Sequence, residues 1–254
     1  SMSQKQMELY DSVVGNAPPW VAAKIKSGLP PDKQESKDLN AYLSGARQIS
    51  NSTAPFITEG DAEYPKIQKA YEEFKKMYDS NPRHKAVIYS NYLDAGINPY
   101  KQLLDKDKIP YGEFTGDINQ TQRANLVQQY NEDKIRALLL SSAGGEGLDL
   151  KGTRQMQILE PHWNDEKLKQ VEGRGIRFQS HEHLPQEERN VLIQRYLATR
   201  PKSFWNKMTF SDPGGSVDQY LVRRSKEKEE LNQQFRNLFE KNGFLFFSKP
   251  EEKR

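Results

Sequence analysis

IRALLLSSAGGEGLDL, Ile135 to Leu150, is the stretch on which the fold turns. It begins as a short, continuous apolar run of strand length, the pattern of a β-strand buried on both faces. It then breaks into a loop where Gly144, Gly145 and Gly147 supply three glycines in four residues. Such a loop turns sharply and lets the backbone approach a phosphate or sugar closely. Taken alone, a plain tight turn explains it equally well.

Working outward, four further apolar runs have the same length: Lys85 to Tyr92, Ile109 to Gly116, Arg154 to Pro161 and Asn190 to Thr199. Helical stretches separate them, around Gly96 to Leu104, Gln120 to Tyr130 and Glu166 to Arg174. Alternation of short strands and helices implies crossover connections and a largely parallel sheet covered on both faces, an α/β fold. Before it, residues 7–50 mix helical patterns with the breakers Pro18-Pro19 and Pro30-Pro31, and Tyr64 to Tyr78 carries one apolar helix face. After it comes a turn-rich aromatic segment, then a long charged helix from Val217 to Lys241. The expected divisions are a helical lead-in over 1–80, the α/β lobe over 81–200, and a loop with a bracing helix over 201–254.

Composition narrows the classes. The chain has 254 residues, 35% hydrophobic and 29% charged, with no cysteine, so disulfides and thiolate metal sites are excluded. Membrane-spanning runs and a signal-peptide pattern are absent from this sequence, giving the expectation of an intracellular, cytoplasmic protein. Ser1-Met2 reads as the scar of an expressed fragment. A net charge of +3 supports a polyanionic partner only weakly.

Two more stretches bear on chemistry. In QVEGRGIRFQSH, Gln170 to His181, Arg174 and Arg177 are three apart, and on a helix they would share a face where two guanidinium forks can meet one polyphosphate. A solvated basic patch is the plainer reading of such a pair. EPHWN, Glu160 to Asn164, closes a strand where ligands collect in open α/β sheets, although a tryptophan there is also ordinary core. His84, His162, His181 and His183 offer no convincing ligand set for a metal, so none is expected. Phe204, Trp205 and Phe210 are read as loop anchors rather than base-stacking platforms.

In this order and spacing, KAVIYSNY, IPYGEFTGDINQTQR, LLLSSAGGEGLDL and QVEGRGIR resemble motif IV, the segment after it, motif V and motif VI of the second RecA-like lobe of superfamily 2 helicases and translocases. The chromatin-remodeller-like branch is the nearest in style. Within it, RQMQILEPHWN to ERNVLIQRYL is most similar to helicase-type ATPases of large cytoplasmic DNA viruses, poxviruses included. The resemblance covers about residues 85–199. It implies that Arg177 is an arginine finger with Arg174 as its partner on the γ-phosphate. Gly147 and Asp149 would lie near the ribose and the interlobe cleft, and Gln170 would couple the two sites. Ser90, Asn91, Thr115, Gly116, Ser141 and Ser142 would line a groove that tracks the nucleic-acid backbone. GSVDQYLVRRSKEKEEL is similar to the bracing helix of that branch.

No GxxxxGK[ST] loop occurs in the 254 residues, and no acidic box follows a suitable strand. The resemblance therefore implies ATP and Mg²⁺ bound mainly by a first lobe outside this sequence, which is the expected protein partner, with double-stranded DNA as the expected nucleic acid. No membrane partner is expected, and the chain alone should be inactive. The rival reading is a non-catalytic helicase-like scaffold of a transcription or replication complex, against which the intact arginine pair argues.

Overall fold

A computed structural model describes residues 1–15, 18–20, 33–116, 118–141, 148–160, 176–179 and 191–198. Five strands form a parallel sheet: β1 (Ala86–Tyr89), β2 (Tyr111–Phe114), β3 (Ala137–Leu140), β5 (Gln155–Ile158) and β7 (Leu192–Arg195), in the order β2-β3-β1-β5-β7. Each is the core of one of the five apolar runs. Two further strands, β4 (Leu148–Lys151) and β6 (Ile176–Gln179), make a separate parallel pair.

Alternation along β1 explains the layers, because successive side chains point to opposite faces. Ala86 and Ile88 face α3 (Pro65–Ser80) and α4 (Asn98–Lys106), packing with Ile67, Phe74, Ile97, Tyr100 and Leu104. Val87 and Tyr89 face the other side with Leu138, Leu140, Met156 and Tyr130, the last from α5 (Gln120–Asn131). All four β1 side chains are buried, as a central strand under helices on both sides requires. Burying each large side chain contributes about 1.5–3 kcal/mol.

Local signals set the ends. Asn119 and Gln122 form a reciprocal capping box at the start of α5, with the Gln122 amide N–H donating to Asn119 Oδ1 at 2.8 Å. Pro65 and Pro99 open α3 and α4, where a missing N–H is harmless. Arg136, just before β3, donates to the carbonyls of Asn81 (2.7 Å) and His84 (3.0 Å) and stacks over Tyr78, its guanidinium carbon 3.8 Å from the ring centroid. That side chain fixes the exit of α3 against the sheet.

The lead-in is α1 (Gln4–Gly15), α2 (Lys33–Asn51) and a short 3-10 turn, Ala54–Phe56. A π-helical stretch, Leu93–Ile97, links β1 to α4 and lies against α2.

Three expectations need comment. β4 falls inside what reads as one glycine-rich loop, although its buried Leu148 and Leu150 alternate with exposed Asp149 and Lys151. Arg177 lies in β6, so the same-face argument for a helical Arg174 and Arg177 does not hold. The helices expected over 166–174 and 217–241, and the aromatic segment between 200 and 216, lie outside the described residues.

Candidate nucleic-acid and nucleotide interface

Because the sheet is parallel, every strand delivers its following residue to one edge. Tyr89 and Phe114 are both paired with Leu140, so Ser90, Thr115 and Ser141 follow in one row. The Ser90 amide N–H donates to the Leu140 carbonyl at 3.0 Å, and that of Ser141 to the Phe114 carbonyl at 3.1 Å. Three of the expected groove positions are thus brought together by strand register alone.

Their side chains differ in what they can offer. Thr115 is half-buried and Gly116 exposed, both accessible to a phosphate. Ser141 is buried with its hydroxyl directed to the Phe114 carbonyl at 3.4 Å. Asn91 is half-buried, its Oδ1 accepting from the Tyr89 hydroxyl at 2.8 Å. Ser90 is fully buried and its hydroxyl reaches both oxygens of Glu160 at 3.0 and 3.1 Å, so its part in a groove is to shape the loop rather than to touch phosphate.

Glu160, two residues beyond β5, is the residue that sequence reasoning singled out only as part of EPHWN. The chain leaves β1 toward β3 and β2 but leaves β5 toward β7, so the switch in strand order falls between β1 and β5. Glu160 lies there, against the loop after β1. Its carboxylate accepts from the Ser90 hydroxyl, the Asn91 amide N–H and Asn51 Nδ2, the last at 2.8 Å. Burial pushes its carboxyl above the ordinary range, offset by the Lys66 cation, the Asn91 and Asn51 donors and Arg47. Burial, with the Glu160 charge adding to it, raises the neighbouring Tyr89 hydroxyl to about 12.

The residues expected on the nucleotide side are only partly described. Asp149 is exposed and lines an open groove of about 620 Å³ between α5 and β4, with Arg123, Gln128 and Lys151. Asn131 holds that strand: its Nδ2 donates to the Asp149 carbonyl at 3.1 Å, and its Oδ1 accepts from the Lys151 amide at 2.8 Å. Arg177 pairs with Asp149 in register. Gly147, Gln170, Arg174 and Ser142 lie outside the described residues, as do His162, His181 and His183. Among the described residues no cluster suited to a metal ion occurs, and no helix is long and apolar enough to cross a membrane.

A parallel sheet of this order, with helices on both faces, is the architecture of a RecA-like lobe. Residues 66–179 match the helicase conserved C-terminal domain. A protein of Acanthamoeba polyphaga mimivirus named as an ATP-dependent RNA helicase is 40% identical over 196 residues, covering 77% of this chain and 40% of its own. The termination factor NPH-I homolog of African swine fever virus (isolate Warthog/Namibia/Wart80/1980) is 36% identical over 169 residues, covering 62% of this chain and 23% of its own. In fold, the chain is similar to the Sulfolobus solfataricus SWI2/SNF2 ATPase core in complex with double-stranded DNA, with TM-score 0.54, 16% identity, and coverage of 77% of this chain and 38% of that one. The chain thus spans well under half the length of these relatives.

Proposed function

We propose that this chain is the second lobe of an ATP-driven translocase or helicase that works on double-stranded DNA. Arg177 and Arg174 serve as the arginines that meet the γ-phosphate of a nucleotide bound by a first lobe, with Mg²⁺ held mainly there. Gly147, Asp149 and Gln170 belong to the nucleotide side of the interlobe cleft. Thr115, Gly116, Asn91 and Ser142, on a frame set by Ser90 and Ser141, track the nucleic-acid backbone without reading bases.

The observation that carries this reading is the alignment of Ser90, Thr115 and Ser141 on one strand-end row within a helicase C-terminal domain. The residues present fit ATP only as a flank: guanidinium groups and an exposed carboxylate at Asp149, but no phosphate loop in the sequence. ATP, when bound, would supply the free energy for two lobe arrangements to alternate, because the nucleotide favours them unequally before and after hydrolysis. The test is ATP hydrolysis by the full-length protein with double-stranded DNA, single-stranded DNA or RNA added. Stimulation greatest with double-stranded DNA is expected, and a preference for RNA would move the assignment to an RNA motor.

A further inference from the structure

Glu160 lies where three segments meet that are far apart in sequence: the loop after β1, the end of β5 and the last turn of α2. The carboxylate can only accept when ionised, so Asn51 must turn its Nδ2 inward. Its Oδ1 is left buried with no hydrogen-bond partner among the described residues. On the same side, Arg47 stacks over Tyr92 with its guanidinium carbon 5.7 Å from the ring centroid, and Gly96 fits only because it lacks a Cβ, which would sit 1.9 Å from Ser90 Oγ. The whole loop 90–92 is therefore held between the sheet and the lead-in.

We infer that Glu160 is a positioning residue whose carboxylate ties the loop Ser90–Tyr92 to Asn51, so that helix α2 sets the shape in which the loop meets nucleic acid. The functional half of this inference rests on the proposed groove, while the coupling itself does not. Two designs test it. Asn51→Leu removes the donor and the orphan acceptor together, leaving global stability near that of the wild type. Glu160→Gln keeps the size but turns an amide donor toward Asn51 or Asn91, and adding Asn51→Asp restores a matched donor and acceptor.

Hydrogen exchange at the Asn91 amide in this chain should quicken about tenfold in each single variant, reflecting one lost charge-assisted hydrogen bond, and recover in the Glu160→Gln, Asn51→Asp pair. In the full-length protein, the nucleic-acid concentration giving half-maximal ATPase stimulation should rise severalfold in the single variants, with the saturated rate little changed, and return in the pair. Unchanged exchange at Asn91 would overturn the coupling. Faster exchange with unchanged half-stimulation would reduce Glu160 to a structural residue and overturn the inference. A wild-type protein indifferent to every nucleic acid would instead remove the groove reading and the functional half with it, while exchange at Asn91 still decides the coupling.

Discussion

Asp149 and Arg177 hold opposed positions in the parallel ladder between β4 and β6. β4 is in turn fastened to the end of α5 by Asn131, whose side chain bonds the Asp149 carbonyl and the Lys151 amide as a neighbouring strand would. The residue proposed as the arginine finger thus has its backbone paired to a strand that the lobe itself anchors. Backbone pairing of this kind limits where the side chain can start from, and a charged group placed before reaction needs little reorganisation to stabilise developing charge.

For the full-length protein this gives the expectation that Arg177→Ala lowers nucleic-acid-stimulated turnover by about 10³ to 10⁵, the range of arginine fingers elsewhere. Arg177→Lys should rescue little, because an ammonium lacks the planar fork. Nucleic-acid affinity and thermal stability should stay near wild type. Near-normal turnover with lost stability would make Arg177 a structural residue and shift the role to Arg174.

The isolated chain should hydrolyse no ATP above background, since its sequence holds no phosphate loop. It should still bind nucleic acid weakly, without base preference, and progressively less between about 50 and 200 mM salt, because releasing counterions from phosphates into more concentrated salt is less favourable. Turnover by highly purified chain would reveal a nucleotide site that this reading lacks. An affinity indifferent to salt would remove the backbone groove.

Most of the central sheet is legible from sequence because β1, β2, β3, β5 and β7 are apolar runs bounded by turn signals, and burial on both faces leaves no other use for ALLL or AVIY. The row of Ser90, Thr115 and Ser141 follows once the strands are parallel. The small sheet is not legible: β4 has only four residues, too few for its alternation to stand out beside three glycines, and β6 needs a partner that sequence does not name. Glu160 is hidden for another reason. A glutamate after a strand reads as surface, and only the fold brings Asn51, 109 residues away, onto its carboxylate.

A pH dependence follows from His84. It is buried at the entrance to β1, its Nε2 lying 2.8 Å from Gln155 Oε1, and burial lowers its pKa, with the Arg136 and Arg154 cations adding to the effect against the Gln155 bond. The unfolded chain takes up a proton near pH 6.5 while the folded chain does not, so below about 6.5 the unfolded state binds more protons. Stability is therefore full above that pH and falls as pH drops toward the depressed folded pKa. Between pH 7.5 and 5.5 the wild type should lose more melting temperature than His84→Gln, whose amide cannot titrate. Parallel curves for the two proteins would assign the acid sensitivity elsewhere.

Gly96 packs tightly against Ser90 beside the proposed groove, and this packing supplies a test independent of any activity. A Cβ at Gly96 would lie 1.9 Å from Ser90 Oγ and 2.8 Å from Ser90 Cβ, so the π-helical stretch and the end of β1 cannot both keep their places in Gly96→Ala. Overpacking of this kind costs about 1–3 kcal/mol. Ser90→Gly removes both obstructing atoms, at the expense of the hydroxyl bond to Glu160. Because the two residues touch, their effects should not add: the double variant should be more stable than the summed single losses predict by about 1 kcal/mol or more, a coupling typical of neighbours. Urea denaturation of the four proteins measures it through the midpoints, provided the slopes agree. Additive losses would mean that the chain relieves Gly96→Ala by moving the π-helical stretch, and that loop 90–92 is not held by the packing described.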